Sequence, residues 1–182
     1  MATQNNKPTL HRKEWQFMTP LPQATVAGGF MIANMCDLVV AGESAFFSDP
    51  VGHTLGAAAT EVLIHPWVMG LRQAKEFLFA GSRMTASEAK DIGMVNRVVP
   101  RDQLRETVGA MAAKLAGQDR LGNWLTKQAV NHVEELRGKR AAMDAVFHMH
   151  HFAHAQNDLV KGDSIAGVSG KSASAENKKA AG

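Results

Sequence analysis

Ala27-Gly28-Gly29-Phe30-Met31-Ile32-Ala33-Asn34-Met35-Cys36-Asp37-Leu38-Val39-Val40-Ala41 decides how the chain is read. A glycine pair opens a short apolar helix, over Gly29 to Cys36, which gives way to a strand over Leu38 to Ala41. Two adjacent glycines permit a sharp turn and a close approach of another molecule to the main chain. A helix starting there directs its first free N–H groups, and the positive end of its dipole, at that molecule. An oxyanion or a thioester carbonyl suits such a place. The competing reading is that Gly28 and Gly29 only allow tight packing, and a glycine pair alone does not separate the two.

Working outward, Gln23 to Ala27 reads as a short strand feeding the glycine pair. Met1 to Pro22 holds no periodic segment and is broken by Pro8, Pro20 and Pro22, so residues 1–22 read as irregular, with Trp15 and Phe17 as possible docking points. Ala45-Phe46-Phe47 reads as another strand, ending at Ser48-Asp49-Pro50. Val51 to Thr60 is rich in glycine and alanine and reads as a flexible loop or as a loop entering a helix. Glu61 to Met69 is amphipathic, with a break expected at Pro66. Arg72 to Phe79 has helical spacing, with Gly81 as its stop. Thr85-Ala86-Ser87-Glu88 has the form of a capping box opening a helix to Ile92, and Gly93 ends it. Met94 to Val99 reads as a strand, and Asp102 as the cap of a helix to about Ala116. Amphipathic helices follow over Leu121 to Leu136 and over Arg140 to about Leu159. Residues 162–182 are Gly/Ser/Ala/Lys-rich and read as a disordered or loosely docked tail. Strands in the first half and helices afterwards argue for an α/β core over 23–115 and a helical C-terminal region over 116–161.

A hydrophobic content of 45% supports a packed core. A net charge of +3 is too mild and dispersed to argue for nucleic acid. The single cysteine, Cys36, excludes an internal disulfide and sits in an apolar run, as a buried structural thiol does. There is no membrane-length apolar run and no secretory leader pattern, so a cytoplasmic protein is expected.

Several stretches taken together resemble the crotonase (enoyl-CoA hydratase/isomerase) superfamily. They are Ala27-Gly28-Gly29 with Met35-Cys36-Asp37-Leu38 and Ala41, Ala45 to Pro50, Gly70 to Gly81, and above all Thr85-Ala86-Ser87-Glu88-Ala89-Lys90-Asp91-Ile92-Gly93-Met94-Val95-Asn96-Arg97-Val98-Val99-Pro100. The resemblance runs from about Ala24 to about Asp158. It implies a spiral of ββα units, here partial, whose C-terminal helical region drives trimer formation, often as a dimer of trimers. It implies an acyl-CoA thioester substrate, with coenzyme A as part of the substrate and no other cofactor. It implies that the thioester oxygen is held by two backbone N–H groups, one of them mapping to Gly28. Ala27, Gly28, Gly29, Met31, Val51 and Trp67 then line the substrate site.

The departures bear on chemistry. In hydratases of this kind two glutamates handle the water as acid and base. The corresponding positions here are Met31 and Val51, and neither side chain moves a proton. The second oxyanion donor belongs to a segment upstream of the glycine turn, which Met1 to Pro22 is too short and irregular to supply. Asp49, His53, Glu61 and His65 are the remaining candidates for the proton role. Each has a plain structural alternative. Asp49 can be a turn residue before Pro50, and His53 a surface histidine of the loop. Glu61 and His65, spaced i, i+4, face each other on a helix, as a proton-handling pair or an ordinary helix pair. Trp67 is pocket wall or core. Lys161 is a contact for a CoA phosphate or part of a solvated basic tail. His150 and His154 have the spacing of two metal ligands, but without a third partner or an HExxH pattern the His148, His150, His151, His154 cluster reads as a polar helix face near a subunit interface, with no metal. The leading reading is enoyl-CoA hydratase; the alternatives are a catalytically silent or truncated acyl-CoA-binding, oligomerising subunit, and an enoyl-CoA isomerase.

Overall fold

A computed structural model describes residues 18–50 and 61–164. Among these residues six short strands form two three-stranded sheets. In the first, β1 (Met18–Leu21) and β6 (Arg97–Val99) flank β3 (Leu38–Gly42), all parallel; Leu21 lies beside Ala41, and Ala41 beside Val98. In the second, β4 (Phe46–Ser48) lies between β2 (Ala24–Val26), to which it is parallel, and β5 (Arg83–Thr85), to which it is antiparallel. The chain lays β1 and β3 on one sheet and β2 and β4 on the other. Each β–β step therefore advances both sheets by one strand, and α1 (Gly28–Asn34) links the first step to the second. That is the ββα spiral expected from the sequence.

Apolar faces close between the sheets and the helices. Phe30 of α1 is fully buried, edge-on to Phe47 of β4 at 6.3 Å and tilted against Phe77 at 5.3 Å. Phe77 comes from α3 (Leu71–Ala80), which stops at Gly81 in the left-handed conformation, the cheapest way for a chain to leave a helix. The capping box opening α4 (Ala86–Asp91) forms in full: Glu88 N–H donates to the Thr85 hydroxyl at 3.2 Å, and Thr85 N–H donates to the Glu88 carboxylate at 2.7 Å.

Four local expectations change. Met18–Leu21, within the stretch read as irregular, is a strand. Its hydrogen bonds to β3 are long-range, so no local periodicity announces it, and Pro20 is tolerated on this edge strand. Pro66 does not break a helix but opens one: α2 (His65–Met69) begins with it in the first turn, where a missing N–H costs nothing. Asp102 sits in a short 3-10 turn (Arg101–Gln103) and does not cap α5 (Leu104–Ala116), which has no side-chain cap. The side-chain cap in this region belongs to Asp119, which accepts from Gly122 N–H and opens α6 (Arg120–Leu136). The strand expected over Met94 to Val99 is confined to Arg97–Val99.

α5 packs on β1 and β3. α6 and α7 (Lys139–Lys161) contain no fully buried residue. The tail from residue 165, and Trp15 and Phe17, lie outside the described residues.

Candidate active site

The glycine turn is built differently from the sequence expectation. The residue in the unusual backbone conformation is Ala27, at φ 49° and ψ −121°, and not either glycine. An L side chain at such φ costs of the order of 1–3 kcal/mol, so surrounding contacts must hold it. They do: Ala27 N–H donates to Ser48 C=O at 3.0 Å, and Ala27 C=O accepts from Met31 N–H at 3.1 Å. Gly28 and Gly29 follow as the first helical residues and are exposed. A Cβ added at either would meet nothing within 4 Å. Packing among the described residues therefore does not require these glycines, while an approaching ligand would find bare backbone there. α1 has no side-chain N-cap, which leaves its first N–H groups facing that opening.

The Ala27–Ser48 hydrogen bond seats the end of β4 directly beside the turn. The next residue, Asp49, is fully buried, and its Oδ2 lies 3.0 Å from Nε2 of His65, also fully buried. The His65 ring stacks on Phe30 at 4.7 Å and 15°, two residues beyond Gly28. A charged group in such surroundings is stable only when paired; here each partner supplies what the other needs. His65 Nδ1 is buried and has no hydrogen-bond partner among the described residues. It is the unpartnered nitrogen of the pair.

Glu61 and His65 were expected to face each other along a helix. They do not, because α2 begins only at His65 and Glu61 lies in the turn before it. Glu61 turns instead to α7, its Oε2 3.4 Å from His150 Nδ1. The Asp49–His65 pair joins residues sixteen apart with the 51–60 stretch between them, so no local spacing could show it; the available signal was that both residues flank that stretch.

Met31, on α1, is 4% exposed. Val51 and His53 lie outside the described residues. Trp67 packs against the core, with the Arg137 guanidinium 5.6 Å from its ring. It borders a cavity of about 820 Å³ that also touches Met35, Cys36, Lys127 and Met143. That cavity opens at the C-terminal end of α1, about 10 Å of helix away from Gly28. Cys36 is half-buried, with Sγ donating to Ile32 C=O at 3.6 Å. Burial raises its thiol pKa, and the neighbouring Asp37 adds to the rise. Lys161 is exposed in the last turn of α7. His150, His151 and His154 cluster ring to ring, 4.5 Å between His150 and His154, and no group of three metal-binding side chains forms among the described residues. No helix among them is long and apolar enough to cross a membrane.

Two sheets filled strand by strand, a bare helix start beside the end of β4, and a helical C-terminal region define a crotonase-type α/β protein. A sequence model of the enoyl-CoA hydratase/isomerase family matches residues 23–170, and the chain belongs to that family. EchA13 of Mycobacterium tuberculosis, a homologue named for enoyl-CoA hydratase, is 35% identical over 159 residues, covering 85% of this chain and 50% of its own. Crystal structures described as probable enoyl-CoA hydratases show the same fold. That from Mycobacterium thermoresistibile has TM-score 0.74 and 39% identity, covering 78% of this chain and 57% of its own. That from Mycobacterium smegmatis has TM-score 0.77 and 36% identity, covering 81% and 60%. The chain thus spans about half the length of the curated relatives it matches.

Proposed function

We propose that this chain acts on an acyl-CoA thioester in the manner of an enoyl-CoA hydratase, with the Gly28 N–H as a donor to the thioester oxygen. The observation that carries this reading is the exposed, uncapped start of α1, where both glycines face open space and Ala27 is held at φ 49°. As charge builds on the thioester oxygen during addition to the double bond, a fixed N–H there stabilises the enolate-like state; one such donor is worth about 3–4 kcal/mol in comparable sites. The Asp49–His65 pair takes the proton role. Asp49 holds the imidazole through Nε2. Water oxygen then adds to the β-carbon, and a proton ends on the α-carbon. The reaction needs no cofactor beyond the coenzyme A of the substrate. A cytoplasmic location and a homotrimer or hexamer complete the reading. The oligomer is supported by apolar side chains left exposed on α6 and α7, among them Leu125, Leu136 and Phe152.

Two assays test it. The first follows loss of the conjugated absorbance of a short trans-2-enoyl-CoA, with Asp49→Asn and His65→Gln expected to remove most turnover. Retention of full turnover by both variants would withdraw the pair from the mechanism. The second uses Gly28→Ala. A ligand-facing glycine should lose acyl-CoA affinity while the fold keeps its stability or gains about 0.4–1 kcal/mol. A loss of stability instead would mark it as a packing residue.

A second reading, acyl-CoA binding without turnover, is favoured by Met31, a thioether where a glutamate is expected, and by the complete burial of Asp49 and His65. Calorimetry showing binding with no hydration would select it. Isomerisation, which needs a single proton-moving group, is separated from both by product analysis with a 3-enoyl-CoA.

A further inference from the structure

The last helix touches the segment that carries His65. His150, in the middle of α7, places Nδ1 3.4 Å from Oε2 of Glu61, four residues before His65. The contact is at ion-pair distance and outside hydrogen-bond alignment, and both atoms are shut off from water. The His150 side chain is only 14% exposed, on a helix with no fully buried residue. Met143, two helical turns earlier and therefore on the same face, packs against the core. α7 is thus fixed to the core along one stripe, by an apolar contact at Met143 and a polar one at His150. The rings of His151 and His154 stand edge-on to His150 from α7 itself, at 5.4 and 4.5 Å, and Glu61 is the group that faces it from the core.

A carboxylate oxygen cut off from water is costly unless something replaces its hydration. At Glu61 the group at ion-pair distance is His150, a residue 89 positions away. We propose that Glu61 and His150 form a positioning pair: α7, through His150, fixes the turn at Glu61 and with it the start of α2, so that His65 is held against Asp49 and Phe30. The pair deepens the assignment of Asp49–His65 to the proton role and rests on that reading. Its consequence is that the C-terminal helix is coupled to the site even though none of its side chains reaches the glycine turn in the contacts above.

The full chain and the variants Glu61→Ala, His150→Ala, the double variant and Glu61→Gln decide this. Amide hydrogen exchange over residues 62–69, read by mass spectrometry without substrate, should rise about tenfold in either single alanine variant and no further in the double one, as coupled residues behave. In hydration of a short trans-2-enoyl-CoA, kcat should fall with KM little changed, and Glu61→Gln, which keeps an oxygen facing His150, should restore most of it. Unchanged exchange in both single variants, or effects that add in the double variant, would overturn the pair. Raised exchange with kcat and KM untouched in an active chain would also overturn it, leaving only a structural contact. Should the wild-type chain hydrate nothing, the proton-role reading fails with it, and the exchange experiment still decides whether α7 holds the 61–65 segment.

Discussion

The core around Phe30 and the two C-terminal helices solve the same problem, covering apolar surface, in opposite ways. In the core, Phe30, Phe47, Ile64 and Phe77 are at most 2% exposed, and even the polar Asp49 and His65 are sealed and paired. On α6 and α7 many apolar side chains remain outside: Leu136 is 75% exposed, Phe152 71% and Leu159 82%. Charged links reach from these helices to the body and to each other, such as Lys127 to Asp37 at 2.7 Å and Lys139 to Glu134 at 2.6 Å. Partly exposed pairs of this kind contribute about 0–1 kcal/mol. The core is therefore held by its own packing. The helices carry exposed apolar surface, and their link to the site runs through few contacts.

The contrast can be broken most severely at Phe30. Phe30→Ala should cost about 3–5 kcal/mol, read as a large drop in the denaturation midpoint, because Phe30 supports both Phe47 and the His65 ring. A drop under about 1 kcal/mol would show that the core does not depend on this stack. Next comes the buried pair. Asp49→Ala leaves a buried imidazole nitrogen without its partner, which costs about 1–3 kcal/mol, whereas Asp49→Asn keeps an oxygen near Nε2 and should cost less. Equal losses would mean that the hydrogen bond to His65 is not what stabilises Asp49.

Smaller effects sharpen the helical side. Leu136→Ser together with Phe152→Ser should leave the unfolding of the core nearly unchanged and reduce the assembled mass measured by light scattering. An unchanged mass would move the interface elsewhere. Thr85→Ala should cost about 1 kcal/mol through loss of the cap. The capping bonds also hold the Glu88 carboxyl below its ordinary range. Its contribution is accordingly present above the unfolded glutamate value of about 4.3 and is lost as pH falls through the lower folded value. A cap-dependent difference between wild type and Thr85→Ala that failed to shrink with acid would contradict this. Smallest of all, Cys36 should react with iodoacetamide more slowly than free cysteine at pH 8, since its raised pKa reduces the thiolate.

Legibility followed the range of the interactions. Capping at Thr85, the stop at Gly81, α6 and α7 depend on residues within a turn of one another, and the sequence displays them. β1 escaped because its partners lie twenty residues away in β3. The Glu61–His65 pairing failed because it assumed helix where the chain holds a turn, and tertiary contacts gave each residue a different partner.

By itself the sequence determined the family, through an ordered set of local motifs. Only the tertiary structure decided that Ala27, and not the glycines, carries the unusual backbone angle, because Ala27 is held by the hydrogen bond that its N–H donates to Ser48 of another strand. It also decided that Asp49 meets His65 and Glu61 meets His150. Burial makes each of these contacts matter, and burial is a property of the folded chain as a whole.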